Sequence, residues 1–160
     1  SVGASANPFG IKGVEENALM MKEVEDALKV QRAVLERLEY ANALRLADAP
    51  LAQVKKALNW VVIGGGPTGV ELTAEFCDFV HSDIATYFPE CAKLIEVTLV
   101  EASGRLLGAF SLSVSDFARD ALQKQGAQVK CDTFVTGADA NQVTLKDAKS
   151  ESVSALDYGL

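Results

Sequence analysis

Cysteine is scarce in this 160-residue chain, and Cys77, Cys91 and Cys131 are widely separated, with no C-x-x-C among them. That spacing spells neither a structural zinc site nor a paired redox motif, so three ordinary thiols in a reducing compartment are expected. Basic charge is also in short supply. Fifteen Lys and Arg against 22 Asp and Glu leave a formal charge of −7, which excludes a nucleic-acid backbone as the main partner, because phosphate contact relies on clustered cations. No apolar run approaches the roughly 20 residues that span a bilayer, and no secretory signal pattern is visible. Internal repeats and low-complexity tracts are missing as well. What remains is an ordinary globular composition, 49% hydrophobic and 23% charged, at a length that suits one domain with a real core.

The stretch Ser1 to Asn17, with Gly3, Pro8, Gly10 and Gly13, reads as an irregular lead-in. From about Lys22 to Leu46, Val24, Leu28, Gln31, Val34 or Leu35, Leu38 and Ala41 recur at three or four residues and predict an amphipathic helix. Asp48 as a cap and Pro50 near the first turn predict a short helix over 51–58. The continuous apolar run Trp60 to Ile63 predicts a buried parallel strand, with Trp60 as core. Val70, Ala74, Cys77, Val80 or His81, Ile84 and Phe88 predict the helix that follows, stopped by Pro89. His81, late in that helix, reads as solvated and not as a ligand. Ile95 to Val100 is expected as a strand, Leu112 to Gln125 as a helix with Ser113 and Asp116 at capping spacing, and Ala127 to Cys131 as a strand. Thr133 to Ala138, Gln142 to Lys146 and Val153 to Tyr158 are short and punctuated by turn residues, as in an antiparallel meander. The expected fold class is therefore α/β: a Rossmann-like FAD/NAD(P)-binding domain with a parallel sheet, flanking helices and a small β-meander.

Residues 60–76, WVVIGGGPTGVELTAEF, contain G-x-G-x-x-G between an expected strand and an expected helix, the context that the motif needs. Gly64 permits a tight turn, Gly66 lets backbone approach a pyrophosphate, and Gly69 lets the helix pack on the strand. Gly65, Pro67 and Thr68 complete the turn, and Pro67 suits a first helical turn in which its missing N–H is not needed. The diphosphate would lie against the helix N-terminus. Glu101 closes the next strand, where a carboxylate accepting from both adenosine-ribose hydroxyls favours NAD and repels a 2′-phosphate. On position alone, Glu71 is a carboxylate favourable with the helix dipole.

With these motifs placed, the chain resembles the NADH-binding domain of a type II (alternative, rotenone-insensitive) NADH dehydrogenase. The resemblance is carried by GGGPTGVE at 64–71, AEFCDFV at 74–80, VTLVEA at 97–102 and FGIKGVEENALMMKEVEDALKVQRAVLERLE at 9–39. Pro8 and Lys12, and Phe76-Cys77, depart from its usual pattern. The resemblance implies that Gly64 to Gly69 hold the NADH pyrophosphate, that Glu101 holds the adenosine ribose, and that Glu71 lies near the nicotinamide where it meets FAD, as the candidate catalytic residue. It also implies an organisation: 1–21 a lead-in from a flavin domain, 22–58 a helical linker packing on the domain, and 59–160 the NADH-binding domain, with Tyr158 to Leu160 starting a strand that is cut off.

The whole protein so implied passes hydride from NADH to FAD and electrons to ubiquinone without pumping protons. It would be peripheral on the mitochondrial inner membrane, or on the plasma membrane of a bacterium, through an anchor elsewhere. This stretch alone is expected to bind NADH without turnover. The rival readings are the NAD domain of a disulfide or ferredoxin reductase, and a non-enzymatic module in which Leu28, Leu35 and Leu38 form a homodimer or partner face.

Overall fold

A computed structural model describes Pro8 and residues 10–160; residues 1–7 of the expected lead-in and Phe9 lie outside the described residues. The lead-in is not wholly irregular, because a short helix, α1 (Val14–Asn17), follows Gly13, and Lys12 bridges to Gly137. Helix α2 (Val24–Leu46) begins where Asp26 Oδ2 accepts the Glu23 N–H at 3.1 Å. It is followed by α3 (Leu51–Ala57), strand β1 (Asn59–Ile63) and helix α4 (Pro67–Phe79). A π-helical turn, Val80–Ile84, then interrupts the α-helical hydrogen bonding before α5 (Ala85–Tyr87). Exposed His81 lies on that turn. Pro89 opens α6 (Pro89–Ala92), as a residue without an N–H should. Strand β2 (Glu96–Val100), helix α7 (Leu112–Lys124) and strand β3 (Gln128–Lys130) complete the alternating part. The meander is β4 (Thr133–Ala138), β5 (Gln142–Asp147) and β6 (Val153–Asp157).

Two sheets result. One is parallel in the order β1-β2-β3, and the other is antiparallel in the order β4-β5-β6. On the far side of β1, the Gly159 N–H donates to the Asn59 carbonyl and the Val61 N–H to the Leu160 carbonyl, both at 2.8 Å. The expected strand start therefore pairs in parallel beside β1. Side chains on the parallel strands alternate between two cores, as the pleat requires. Trp60, Val62, Val97 and Leu99 face helices α2, α3, α4, α6 and α7, whereas Val61 and Val100 face the meander and the lead-in. The second face of the sheet is thus covered by strands instead of the helices of a doubly wound unit. The outcome is three layers: meander, parallel sheet, helices.

Three local expectations are corrected. In α2 the expected Val34, Leu38 and Ala41 are buried together with Val30, while Val24, Leu28 and Leu35 are 74%, 58% and 44% exposed, and buried Leu38 drops out of the expected partner face. Both stripes repeat at helical spacing, and the period alone does not choose between them. Asp48 takes a left-handed φ of 52° and does not cap α3, whose N-cap is Pro50. The cap of α7 is Ser111, whose hydroxyl accepts the Val114 N–H, and not Ser113.

Trp60 is fully buried and packs its ring 5.2 Å from that of Phe76, as a core residue. Cys77 and Cys91 are buried beside it, and burial pushes both thiols above their ordinary range. A thiol reagent at neutral pH is therefore expected to spare these two in the folded chain and to reach all three cysteines once denaturant is added. Rapid reaction of three thiols in the native state would contradict the packing.

Candidate functional site

The exit of β1 is shaped by four features, each with a different cause. Gly64 has φ +106°, which L side chains rarely adopt, and its N–H donates to the Val100 carbonyl at 2.8 Å. The backbone therefore turns while still tied to β2. A Cβ on Gly69 would run into the Gly64 carbonyl oxygen and reach Val62 Cγ1 at 3.6 Å. That is the close packing of helix on strand that the motif requires. Gly66, the N-cap of α4, has open space where a Cβ would stand. Pro67 follows at N1 and Thr68 at N2, both exposed. The first bond of the helix runs from the Val70 N–H to the Gly66 carbonyl at 3.0 Å, so the Thr68 and Gly69 amides precede it and point out of the helix end. Open backbone, outward amides and the positive end of a helix dipole together make a receptor for an anion.

Glu101 follows the last residue of β2, and its backbone is pinned by bonds to Lys130 and Thr133. Its carboxylate bridges two loops. Oε2 accepts the Gly65 N–H and Oε1 accepts the Ser103 N–H, each at 2.6 Å. A carboxylate offers about four lone-pair sites, so about two remain for a ligand hydroxyl pair. The side chain thus orients the glycine turn and keeps acceptor capacity in reserve.

Glu71 is solvent-exposed on α4. Beside it lies a cavity of about 890 Å³ between α2, the lead-in, β1, α4 and the meander. Its wall includes Ile63, Gly64, Thr68, Gly69 and Leu72, but not Glu71. The glycine turn and Glu101 are therefore brought together, and Glu71 sits on the flank next to this largely apolar groove. No group of three or more His, Cys, Asp or Glu able to hold a metal occurs among the described residues.

The loop between Ala102 and Ser111 carried no motif, yet it closes over the glycine turn. The Leu107 N–H donates to the Gly65 carbonyl at 2.7 Å, and Leu106 Cδ2 would stand 2.6 Å from a Cβ on Gly65. Leu107 holds φ +50° there, a conformation that costs a non-glycine residue about 1–3 kcal/mol. Arg105 spans the loop, its guanidinium donating to the Gly108 and Phe110 carbonyls at 2.6 and 3.2 Å. Nearby, Lys149 pairs with Asp132 at 2.6 Å. Burial, then the charges of Glu101 and Asp132, push the Cys131 thiol up. Gly104 and Gly108 were the only sequence signs of a turn-rich segment here.

The model of the pyridine nucleotide-disulphide oxidoreductase family matches residues 1–159. Over its full length the chain is 36% identical to the mitochondrial external alternative NAD(P)H-ubiquinone oxidoreductase B4 of Arabidopsis thaliana, of which it covers 27%. It is 31% identical to the mitochondrial external NADH-ubiquinone oxidoreductase 2 of Saccharomyces cerevisiae, of which it covers 29%. The chain thus spans under a third of the length of these relatives. Among solved structures, NDH2 from Plasmodium falciparum in complex with NADH matches with a TM-score of 0.93 and 32% identity, over 99% of this chain and 32% of that one. Reduced CoADR-RHD of Bacillus anthracis, at 20% identity and a TM-score of 0.57, shares the fold.

Proposed function

We propose, from the premise that the chain belongs to the pyridine nucleotide-disulphide oxidoreductase family, that it is the NADH-binding domain of a type II NADH:quinone oxidoreductase. The observation that carries the reading is the open space at Gly66 beside the outward amides of α4, facing a carboxylate already bonded to the same turn. Those amides receive the diphosphate, Gly64 and Gly69 keep the turn out of its way, and the free lone pairs of Glu101 accept from the adenosine ribose. A 2′-phosphate would meet the Glu101 charge, which makes NADH the better ligand. The nicotinamide end then runs along α4 toward the groove, with Glu71 on its border as the candidate catalytic residue.

In the whole protein, NADH supplies a hydride that FAD accepts, and the electrons pass on to ubiquinone. This chain's part is to bind and orient the nucleotide and to exclude water from the apolar groove, which would be closed by a flanking flavin domain. The relatives carry mitochondrial names, and we place the parent protein peripherally on the inner mitochondrial membrane. No helix among the described residues is long and apolar enough to cross a membrane, so the reading assigns the membrane contact to other segments.

Calorimetric titration with NADH and with NADPH tests the reading. Saturable NADH binding, weaker NADPH binding and no NADH oxidation by the chain alone are expected. Equal affinity for the two nucleotides, or turnover without added flavoprotein, would refute it. The exposed stripe of Val24, Leu28 and Leu35 favours a second role for α2, as a face toward the flavin domain or a second copy. Light scattering separates them: mass that rises with concentration shows a homodimer, and a constant monomer mass leaves α2 to the flavin domain.

A further inference from the structure

Gly65 is gripped on both sides by the loop after β2, its N–H by Glu101 and its carbonyl by the Leu107 N–H. Leu107 reaches that carbonyl only at φ +50°, so the grip is strained and something must hold it. Within the loop, Arg105 and the bond from the Phe110 N–H to the Leu107 carbonyl at 2.8 Å do part of this. From outside the loop comes Ser115. It lies in α7, is 3% exposed, and donates its hydroxyl to the carbonyl of buried Leu106 at 2.7 Å. A helical serine ordinarily turns its hydroxyl to solvent or back to the carbonyl four residues earlier; this one instead reaches nine residues back, to the residue beside the strained one.

Resting on the reading of the glycine turn as a diphosphate cradle, we infer that Ser115 is a positioning residue for NADH binding. Through Leu106 and Leu107 it fixes the Gly65 carbonyl and the Gly66 N–H of the same peptide unit, and with them the approach to the Thr68 and Gly69 amides. Without the hydroxyl, the buried Leu106 carbonyl loses its partner and Leu107 is free to relax toward negative φ. The relaxed loop releases the Gly65 carbonyl. Once that peptide can rotate, the amides beyond it no longer converge on one anion, although the helix they belong to is intact.

The test titrates NADH into the 160-residue chain, following the emission of Trp60, the one tryptophan, and melts each variant in parallel. Ser115→Ala is expected to weaken NADH binding about tenfold, the scale of one lost buried hydrogen bond. Ala118→Gly, three residues on in the same helix, lowers the melting temperature while leaving the Ser115–Leu106 bond in place, and is expected to keep the wild-type dissociation constant. Ser115→Cys, close in volume and a weaker donor, should fall between wild type and alanine, and serves if the alanine variant does not fold. Wild-type affinity in both Ser115 variants, or equal weakening by Ala118→Gly, would overturn the inference while leaving the cradle in place. Failure of the wild-type chain to bind NADH would instead overturn the cradle, and the inference with it.

Discussion

Gly69→Ala is expected to remove saturable NADH binding from the chain. The added methyl collides with the Gly64 carbonyl oxygen, so either the first turn of α4 moves away from β1 or the Gly64 peptide rotates. Both responses displace the Thr68 and Gly69 amides. Losing two hydrogen bonds to a charged group, at about 1.5–3 kcal/mol each, weakens binding by roughly a hundredfold or more. The comparison that gives this meaning is Gly66→Ala. Gly66 has φ −74° and ψ −179°, which alanine adopts freely, and nothing stands within 4 Å of the added Cβ. Its melting temperature should match wild type, a stability change within about 0.5 kcal/mol, while NADH affinity falls because the methyl fills the space left for the diphosphate. A Gly66→Ala chain that binds NADH like wild type would show that the diphosphate lies elsewhere.

The contrast between these two glycines also marks how far the sequence could be read. The turn was legible because its constraints are local: strand, glycines and helix start lie within 17 consecutive residues, and each glycine's role follows from backbone geometry. Glu101 was legible for a similar reason, standing where a parallel strand ends beside the turn. Its hold on the Gly65 and Ser103 amides was not, because it depends on the path of a loop with no periodic pattern. Leu106, Leu107 and Ser115 escaped for the same reason, since nothing in the spacing of a serine and a leucine nine apart says that they bond. The α2 face was read rightly at Val34, Leu38 and Ala41 and wrongly at Val24 and Leu28, where a second apolar stripe competes and burial falls on Val30 instead. The meander's strands were visible in their alternation, whereas its place on the second face of the sheet is set by Val61, Val100, Val135 and Val143 meeting in space.

Because its carboxylate holds two amides, Glu101→Gln is expected to be more damaging than the loss of one charge would suggest. The carboxylate accepts on both oxygens, from Gly65 and from Ser103. Glutamine has one acceptor oxygen, so its NH2 must face one of these two N–H groups, donor against donor. One charge-assisted bond is lost and a repulsion replaces it, and the amide group also gives up acceptor sites for the ribose. NADH affinity is therefore expected to fall roughly 10- to 100-fold, at about 1.5–3 kcal/mol for the bond. The substitution also removes the charge that repels a 2′-phosphate, yet it should not produce an NADPH binder. Two cations near this end of the sheet are already engaged, Arg105 with the Gly108 and Phe110 carbonyls and Lys149 with Asp132, and withdrawing Arg105 would cost the loop both of those bonds. Titration of Glu101→Gln with both nucleotides checks this: weak binding of each is the expected result. Retained NADH affinity would mean that the carboxylate does not touch the ribose, and tight NADPH binding would mean that Arg105 or Lys149 swings free to meet the phosphate.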